Sequence, residues 1–190
     1  MFQHIRSALV TLLFFTALTG FLYPAVVTGI ARLLFPLKAE GSLVQREGKV
    51  VGSELIGQPF DDPHYFWGRL SATAPYSYNT AASAGSNRGQ SHPELLRDAA
   101  ERATKLRAAD PGNARPIPID LITASGSGLD PHISPAAAEY QVSRVARARG
   151  ISEEEVRRLV AANTDGRQLG ILGEPRVNVL LLNLALDALR

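Results

Sequence analysis

One short stretch of the sequence, residues 123–138, concentrates side chains that could do chemistry in the string TASGSGLDPHISPAAA. The residue types of a serine hydrolase occur in it as Ser125, Ser127, Asp130 and His132. The nucleophile pattern G-x-S-x-G is absent, however, and triad members usually come from separate segments that meet in space. A structural role is the alternative, because Asp130-Pro131 is typical of a turn and glycine permits positive φ angles.

The same glycines suggest a second kind of chemistry, a loop that binds phosphate. Gly126 and Gly128 begin the dinucleotide pattern G-x-G-x-x-G, but Pro131 stands where its third glycine belongs. A P-loop would need a lysine directly after the glycines, and none follows. The surroundings do fit, because residues 117–123 alternate like a strand and Ser134 predicts the start of a helix. A hydrolase, a phosphate loop and a loop that only sets shape all stay open.

Metal and nucleic-acid chemistry have weaker support. The four histidines are His4, His64, His92 and His132. None has a second histidine at ligand spacing, and we interpret Asp61, Asp62 and His64 as a solvated turn, so no metal site is predicted. The absence of cysteine excludes disulfides, thiolate ligands and a cysteine nucleophile. The net charge is only +2 and the basic residues are dispersed, so nucleic acid is not an expected partner.

The elements that must position these residues begin with an apolar N-terminal segment. Residues 7–31 carry no charge. At about 1.5 Å per residue such a helix is about 37 Å long, which exceeds the hydrocarbon core of about 30 Å. A cleaved signal peptide would have a shorter apolar region and an A-x-A-like site after it. We therefore expect residues 1–36 to form an uncleaved transmembrane anchor that crosses the lipid bilayer once.

This predicted anchor also carries a face of small residues and a helix breaker. The residues that recur every four positions are Thr16, Gly20, Pro24 and Thr28. Small residues on one face allow a partner helix to approach closely, so this face is predicted to pack against another membrane helix. Pro24 lacks an N–H and is expected to kink the helix. Arg6 on one side and Arg32 with Lys38 on the other nearly balance, so charge alone does not set the orientation.

The rest of the chain, residues 37–190, is predicted to form a soluble domain with a short β-sheet and three to four helices. Gly48 is predicted to lie in a hairpin turn, and the aromatic-rich residues 57–90 form an ordered loop region. Residues 177–189 are apolar but too short to cross a membrane. The predicted fold class is thus mixed α+β, with one N-terminal transmembrane helix followed by this domain.

Capping signals predict where the helices of this domain begin. Ser91 and Ser152 are each followed three residues later by a glutamate, which is the spacing of a capping box. Ser134 precedes Pro135, and proline is favoured at the first helical position. The helices are predicted to run from Ser91 to residues 110–112, from Ser134 to Gly150, from Ser152 to residues 165–166, and over residues 176–189.

Several longer strings together resemble the C subunit of the Kdp potassium-transporting P-type ATPase. They are GSELIGQPF at residues 52–60, YFWGRLSA at 65–72, GSN at 85–87, TASGSGLDPHISPAAA at 123–138, QVSRVARARG at 141–150 and PRVNVLLLNLALDAL at 175–189. The resemblance covers nearly the full length of the chain. Leu70 departs from the proline that is usual in the family, as do the residues that follow Asn87.

The resemblance implies an accessory, non-catalytic subunit of a high-affinity, ATP-driven potassium uptake complex in the bacterial inner membrane. Its partners would be a channel-like potassium-binding subunit, a P-type ATPase subunit and a small single-span subunit. The family is described as necessary for assembly and for the function of the ATPase subunit. It is also described as a catalytic chaperone that raises the ATP affinity of that subunit.

The resemblance also implies that the soluble domain lies outside the cytoplasm, over the potassium entrance. A domain in that position cannot contact cytosolic ATP, so no cofactor is expected to bind it directly. ATP and potassium would be handled by the complex, with any effect on affinity conveyed through contacts between subunits. The residues then expected to act as a structural or partner-contact loop are Ser125, Gly126, Ser127, Gly128, Asp130, Pro131, His132 and Ser134. The alternatives are a membrane-anchored serine hydrolase or a nucleotide-binding subunit that uses residues 123–138.

Overall fold

The computed structural model describes residues 2–189 and divides the chain into two compact units that meet between Val51 and Gly52. The first unit contains the apolar helix, a short helix and most of a hairpin whose second strand crosses the boundary, and the second unit contains the remaining elements. The predicted division into an anchor of residues 1–36 and a domain of residues 37–190 stays a prediction.

The first unit is dominated by a long apolar helix. Its parts are α1 at Phe2–Ala17, a π-helical turn at Leu18–Leu22, and α2 at Tyr23–Leu34. The stretch His4–Leu34 is 31 residues long with a mean hydropathy of 1.9, and none of its residues is buried. Its length and composition suffice to cross a bilayer, which confirms the predicted single membrane-type helix.

The π-helical turn lies directly before Pro24. The Tyr23 N–H donates to the Leu18 carbonyl, a bond that skips one residue more than in an α-helix. A proline removes one helical donor and crowds the carbonyl four residues earlier, here that of Gly20, so a wider turn at this place relieves the clash. Thr16 Cγ2 lies 4.0 Å from where a Cβ on Gly20 would stand, which makes these two residues neighbours. The common face with Thr28 stays a prediction.

A short helix and a hairpin follow. Helix α3 spans Pro36–Ala39, and strands β1 at Leu43–Arg46 and β2 at Lys49–Ser53 form a two-stranded sheet. The two residues between the strands, Glu47 and Gly48, have φ angles of 53° and 76°. Two successive positive φ angles are typical of the tight turn whose twist matches a hairpin. The hairpin predicted around Gly48 is confirmed.

The second unit combines four helices with a three-stranded antiparallel sheet, which confirms the mixed α+β class. The helices are α4 at Pro93–Ala109, α5 at Pro135–Arg149, α6 at Glu153–Ala162 and α7 at Val179–Ala188. The strands are β3 at His132–Ile133, β4 at Thr164–Asp165 and β5 at Arg176–Asn178, in the order β3-β5-β4. In this sheet Val177 lies opposite both Ile133 and Thr164.

Helix α5 is the centre of the hydrophobic core. Its fully buried side chains are Ala137, Ala138, Val142 and Val145. They pack with the buried Val156 of α6 and with Leu182 and Leu186 of α7. The helix begins and ends as predicted, since the Ser134 hydroxyl accepts from the Ala137 N–H at 3.0 Å and Gly150 closes it with φ of 67°.

Two predictions were wrong next to prolines: the start of one helix and the presence of one strand. Helix α4 begins after His92, not after Ser91, and the His92 ring accepts from the Glu94 N–H. Pro93 favours the first helical position and holds the residue before it in an extended conformation, which moves the cap by one residue. Residues 117–123 do not form a strand; a 3₁₀ turn spans Ile119–Leu121, because Pro118 lacks a donor for a ladder.

The C-terminal region also differs from the prediction. Helix α6 is capped by Ser152 as predicted but ends at Ala162, and residues predicted as its last turn form β4. The last predicted helix splits at Asn178 into strand β5 and helix α7. The Asn178 side chain accepts from the Leu181 N–H at 3.1 Å, so a capping residue inside an apolar run set this boundary.

Residues 54–92 contain no helix and no strand of either sheet, yet their aromatic residues Phe66 and Trp67 are deeply buried. Side-chain amides take the place of a neighbouring strand. Asn183 accepts from the Phe66 N–H at 2.8 Å and donates to the Phe66 carbonyl at 3.0 Å. Gln141 accepts from the Trp67 N–H at 2.8 Å and donates to its carbonyl at 3.1 Å. We call Gln141 and Asn183 the amide clasp.

A buried arginine completes this arrangement. Arg144 donates to the carbonyls of Pro63 and Tyr65 at 2.6 and 3.0 Å, and its guanidinium lies 4.4 Å from the centre of the Trp67 ring. Burial lowers the pKa of Arg144 to about 10. The guanidinium therefore stays charged at neutral pH and fixes the chain on one side of the tryptophan.

Candidate functional site

The glycine-serine loop, defined here as residues 123–134, connects the 3₁₀ turn at Ile119–Leu121 to helix α5 through the short strand β3. The sequence had predicted a strand directly before this loop, and the structure has none there. Its entry is paired instead with residues 54–92, which we call the long loop, through a parallel bridge between Leu70 and Ala124. The loop is therefore positioned by residues 57–85, which lie far from it in sequence.

Ser71 is the main contact between the two loops. Its hydroxyl donates to the Gly128 carbonyl at 2.7 Å and accepts from the Tyr78 N–H at 2.9 Å. It also lies 2.9 Å from the hydroxyl of Thr73. Tyr78 in turn donates its hydroxyl to the Arg69 carbonyl at 2.7 Å, and burial raises the pKa of that hydroxyl to about 12. The tyrosine thus remains a neutral donor at any physiological pH.

Asp130 forms the charged contact of the loop. One carboxylate oxygen lies 3.1 Å from Arg69 Nη1, and the other accepts from the His132 N–H at 3.0 Å and lies 3.3 Å from the His132 ring. Burial alone would raise the pKa of Asp130, but the hydrogen bonds from His132 and Arg69 outweigh it, and the pKa is lowered. Arg69 also donates to the Ala124 carbonyl at 3.2 Å, so it spans the base of the loop.

Two of the three serine side chains in the loop accept backbone N–H groups, whereas within residues 2–189 the buried Ser125 hydroxyl has no hydrogen-bond partner. Ser125 is only 3% exposed, and its N–H donates to the Leu70 carbonyl at 3.1 Å. The Ser127 hydroxyl accepts from the Leu129 N–H at 3.1 Å, and its carbonyl accepts from the Ala84 N–H at 3.0 Å. The Ser134 hydroxyl caps helix α5. The hydrolase constellation predicted as an alternative is therefore not assembled by these contacts, in which the His132 ring faces Asp130.

Close packing explains why residue 128 is a glycine. Gly128 has φ of +69°, and a Cβ on it would lie 2.6 Å from both the Ala84 carbonyl oxygen and Thr73 Cγ2. A side chain there would meet both a steric and a conformational penalty. Gly126 is different, because a Cβ on it would meet no heavy atom within 4 Å.

The far end of the loop reaches the last helix. The Pro131 carbonyl accepts from the Val179 N–H at 3.0 Å, at the first residue of α7. The Gly57 N–H donates to the Leu129 carbonyl at 2.9 Å, and a Cβ on Gly57 would lie 2.3 Å from the Tyr78 ring. The loop therefore joins the long loop to the C-terminal helix, and it does so mostly through backbone groups.

A cavity of about 600 Å³ lies beside these contacts, between the long loop and helix α4. The lining side chains that also hold the glycine-serine loop are Arg69, Leu70, Ser71 and Tyr78. Helix α4 contributes Arg102 and Lys105, which both lie over the Trp67 ring, at 5.1 and 5.3 Å from its centre. Burial lowers the pKa of Arg102. Lys105 and Asp61 form an ion pair at the rim, so the cavity is lined by charges that are partly paired.

Sequence reasoning missed the residues that hold the loop in place, namely Ser71, Tyr78, Arg69 and the amide clasp. They belong to no chemical motif, and the signal that could have found them was the density of aromatic residues between positions 65 and 78. Within residues 2–189 no group of three or more His, Asp or Glu side chains is arranged to hold a metal ion.

One membrane-type helix followed by a small mixed α+β domain defines the chain as a membrane-associated protein with one candidate anchor. Comparison with known proteins identifies its family. The family model for the K+-transporting ATPase, c chain (KdpC) matches residues 5–188.

Relatives that match over nearly the full length of the chain indicate the same family. The chain is 65% identical over 190 residues, 100% of both chains, to the potassium-transporting ATPase KdpC subunit of Sorangium cellulosum. It is 62% identical over 190 residues, again 100% of both, to the subunit of Methylococcus capsulatus. To the subunit of Polaromonas naphthalenivorans it is 61% identical over 186 residues, 98% of this chain and 95% of the relative. The chain belongs to the KdpC family and is a component of a potassium-transporting ATPase complex.

Replacing Gly128 with alanine should destabilise the chain by about 1–3 kcal/mol, because alanine resists positive φ and its methyl group overlaps Ala84 and Thr73. The measurement is thermal unfolding of the purified full chain in detergent. Gly126→Ala is the matched control and should change stability by less than about 1 kcal/mol. Equal stability of the two variants would contradict the close packing at Gly128.

The ion pair of Asp130 predicts a pH dependence. Since the folded-state pKa of Asp130 is lowered below its ordinary value of 3.8, the carboxylate stabilises the fold above that value, and the stabilisation is lost as pH falls through the lowered pKa. Asp130→Asn should therefore be less stable than wild type at pH 6, with the difference shrinking at acidic pH. Unfolding in urea at several pH values measures this. A difference that stays constant down to about pH 2 would contradict the assignment.

Proposed function

We propose that the chain is an accessory subunit without a reaction of its own, which is needed for assembly of a high-affinity potassium uptake complex and for the activity of its ATPase subunit. The observation that carries this proposal is the full-length match to KdpC subunits. Its partners are a channel-like potassium-binding subunit, a P-type ATPase subunit and a small single-span subunit. The anchor packs beside them in the bilayer through the face that contains Gly20 and Pro24.

The geometry of the glycine-serine loop supports this role over catalysis. Three side chains of the loop are engaged within the protein: Ser127 and Ser134 accept backbone N–H groups, and Asp130 pairs with Arg69. A nucleophile must instead be free to attack and close to a base. The loop serves as a shaped contact region whose form is set by the long loop beneath it.

The same contacts argue against nucleotide binding by this loop. A phosphate cradle needs several backbone N–H groups that point at the ligand. Here the N–H groups of Ser125, Leu129 and His132 already donate to Leu70, Ser127 and Asp130. We propose that no cofactor binds directly. ATP and potassium act on the other subunits, and any effect on ATP affinity is a coupling free energy transmitted through subunit contacts.

A complementation experiment tests the accessory role. In a bacterium that lacks its own subunit of this family, the chain produced with the other subunits should restore potassium uptake and potassium-stimulated ATP hydrolysis by the purified complex. The isolated chain should hydrolyse neither ATP nor esters and should not react with a serine-directed phosphonate. Turnover of a substrate by the isolated chain would contradict the proposal, and phosphonate labelling would favour the hydrolase alternative.

We further propose that the chain lies in the inner membrane with the second unit outside the cytoplasm. Protease added to intact spheroplasts should then digest the chain after Leu34, while a cytoplasmic marker protein stays intact. Protection of the second unit until the membrane is permeabilised would overturn this orientation and would bring the domain within reach of cytosolic ATP.

A further inference from the structure

Between β4 and β5 the chain makes a tight turn, and the residues at its end are apolar and exposed. Leu169 is 89% exposed, Ile171 75% and Leu172 54%. The other exposed large apolar side chains within residues 52–189 are Leu55, Tyr76, Leu96, Ile119 and Leu189. These five lie singly along the chain, which is normal for a soluble surface, whereas three within four residues indicate an interaction site. We call residues 168–172 the apolar tip.

The apolar tip is held in one conformation by its own backbone. Gln168 and Leu172 exchange two hydrogen bonds, with N–H to carbonyl distances of 2.8 and 2.9 Å. The Gly170 N–H donates to the Arg167 carbonyl at 3.1 Å, and Leu169 itself has φ of 54°. A loop that is already ordered loses little conformational entropy when it binds, so its apolar side chains can act as anchors.

The base of the tip has no net charge. Arg167 donates to both oxygens of Glu174 at 2.9 and 2.8 Å, and Arg176 lies 3.6 Å from Asp165. Residues 165–176 contain no other charged residue and no aromatic residue. Loops that insert into lipid typically carry an excess of Lys or Arg toward anionic headgroups, and Trp or Tyr at the interface. A neutral, rigid tip of three aliphatic side chains instead complements an uncharged apolar recess in a protein.

We propose that the apolar tip inserts into an uncharged apolar recess on the extramembrane surface of another subunit of the transport complex. The inference rests on the proposed function, which supplies that subunit as the partner. A few side chains that fill well-packed, desolvated pockets carry most of the binding energy at protein interfaces. The tip is thus the contact through which the second unit is fixed in the assembled complex.

A single-cysteine experiment tests the location of the tip, because the chain contains no cysteine of its own. Ile171→Cys is alkylated with a hydrophilic maleimide, once in the isolated full chain and once in the purified complex in lipid nanodiscs. Alkylation of this chain should be about tenfold slower or more in the complex. Ser91→Cys is the control at another exposed site and should react at similar rates in both samples.

Two outcomes would overturn the inference. Equal alkylation rates at position 171 would mean that the tip stays free in the complex. Slow alkylation together with quenching of a fluorophore at position 171 by lipid-borne quenchers would mean that the bilayer covers it. Failure of the wild-type chain to co-purify with any other subunit would instead refute the proposed function.

A charge substitution provides a second measurement. In the purified complex, Ile171→Asp should make the second unit about tenfold more sensitive to added protease than in the wild type, whereas Ile171→Val should not. Because the side chain is exposed, both variants should unfold at the wild-type temperature in the isolated chain. Wild-type protease sensitivity of Ile171→Asp in the complex would overturn the inference.

Discussion

The fold of the second unit depends on how it buries an extended segment that has no neighbouring strand. Backbone N–H and C=O groups that leave water must find partners, or each costs about 1–3 kcal/mol. At Phe66 and Trp67 those partners are the side chains of Asn183 and Gln141, which reach in from two helices. The clasp lets two large aromatic rings enter the core, and it fixes where the chain on either side of them must run.

The position of the glycine-serine loop depends on how the amide clasp places the chain after Trp67. Residues shortly after Trp67 supply Arg69, Ser71 and Tyr78, and these hold Asp130 and the Gly128 carbonyl. A region without regular secondary structure is therefore an ordered platform, and it holds the loop at Gly128 and Asp130. A scaffold of this kind suits a subunit that presents a surface to larger partners, because the surface keeps its shape before they bind.

Local signals in the sequence predicted much of this architecture. The apolar run, the turn at Gly48, and the helix caps at Ser134 and Ser152 are each decided by neighbours a few residues away, and they were confirmed. The strand predicted over residues 117–123 was wrong because alternation cannot reveal that no ladder partner is present. The amide clasp was not predicted, since glutamine and asparagine acquire their role from residues 74 and 117 positions distant.

That sequence separation has a consequence for biosynthesis. Asn183, which completes the clasp, is synthesised 117 residues after Phe66. Because contacts between distant residues cannot form until both ends are present, the backbone of Phe66 lacks this partner until helix α7 has been made. The burial of the aromatic segment is therefore a late step in the folding of this domain.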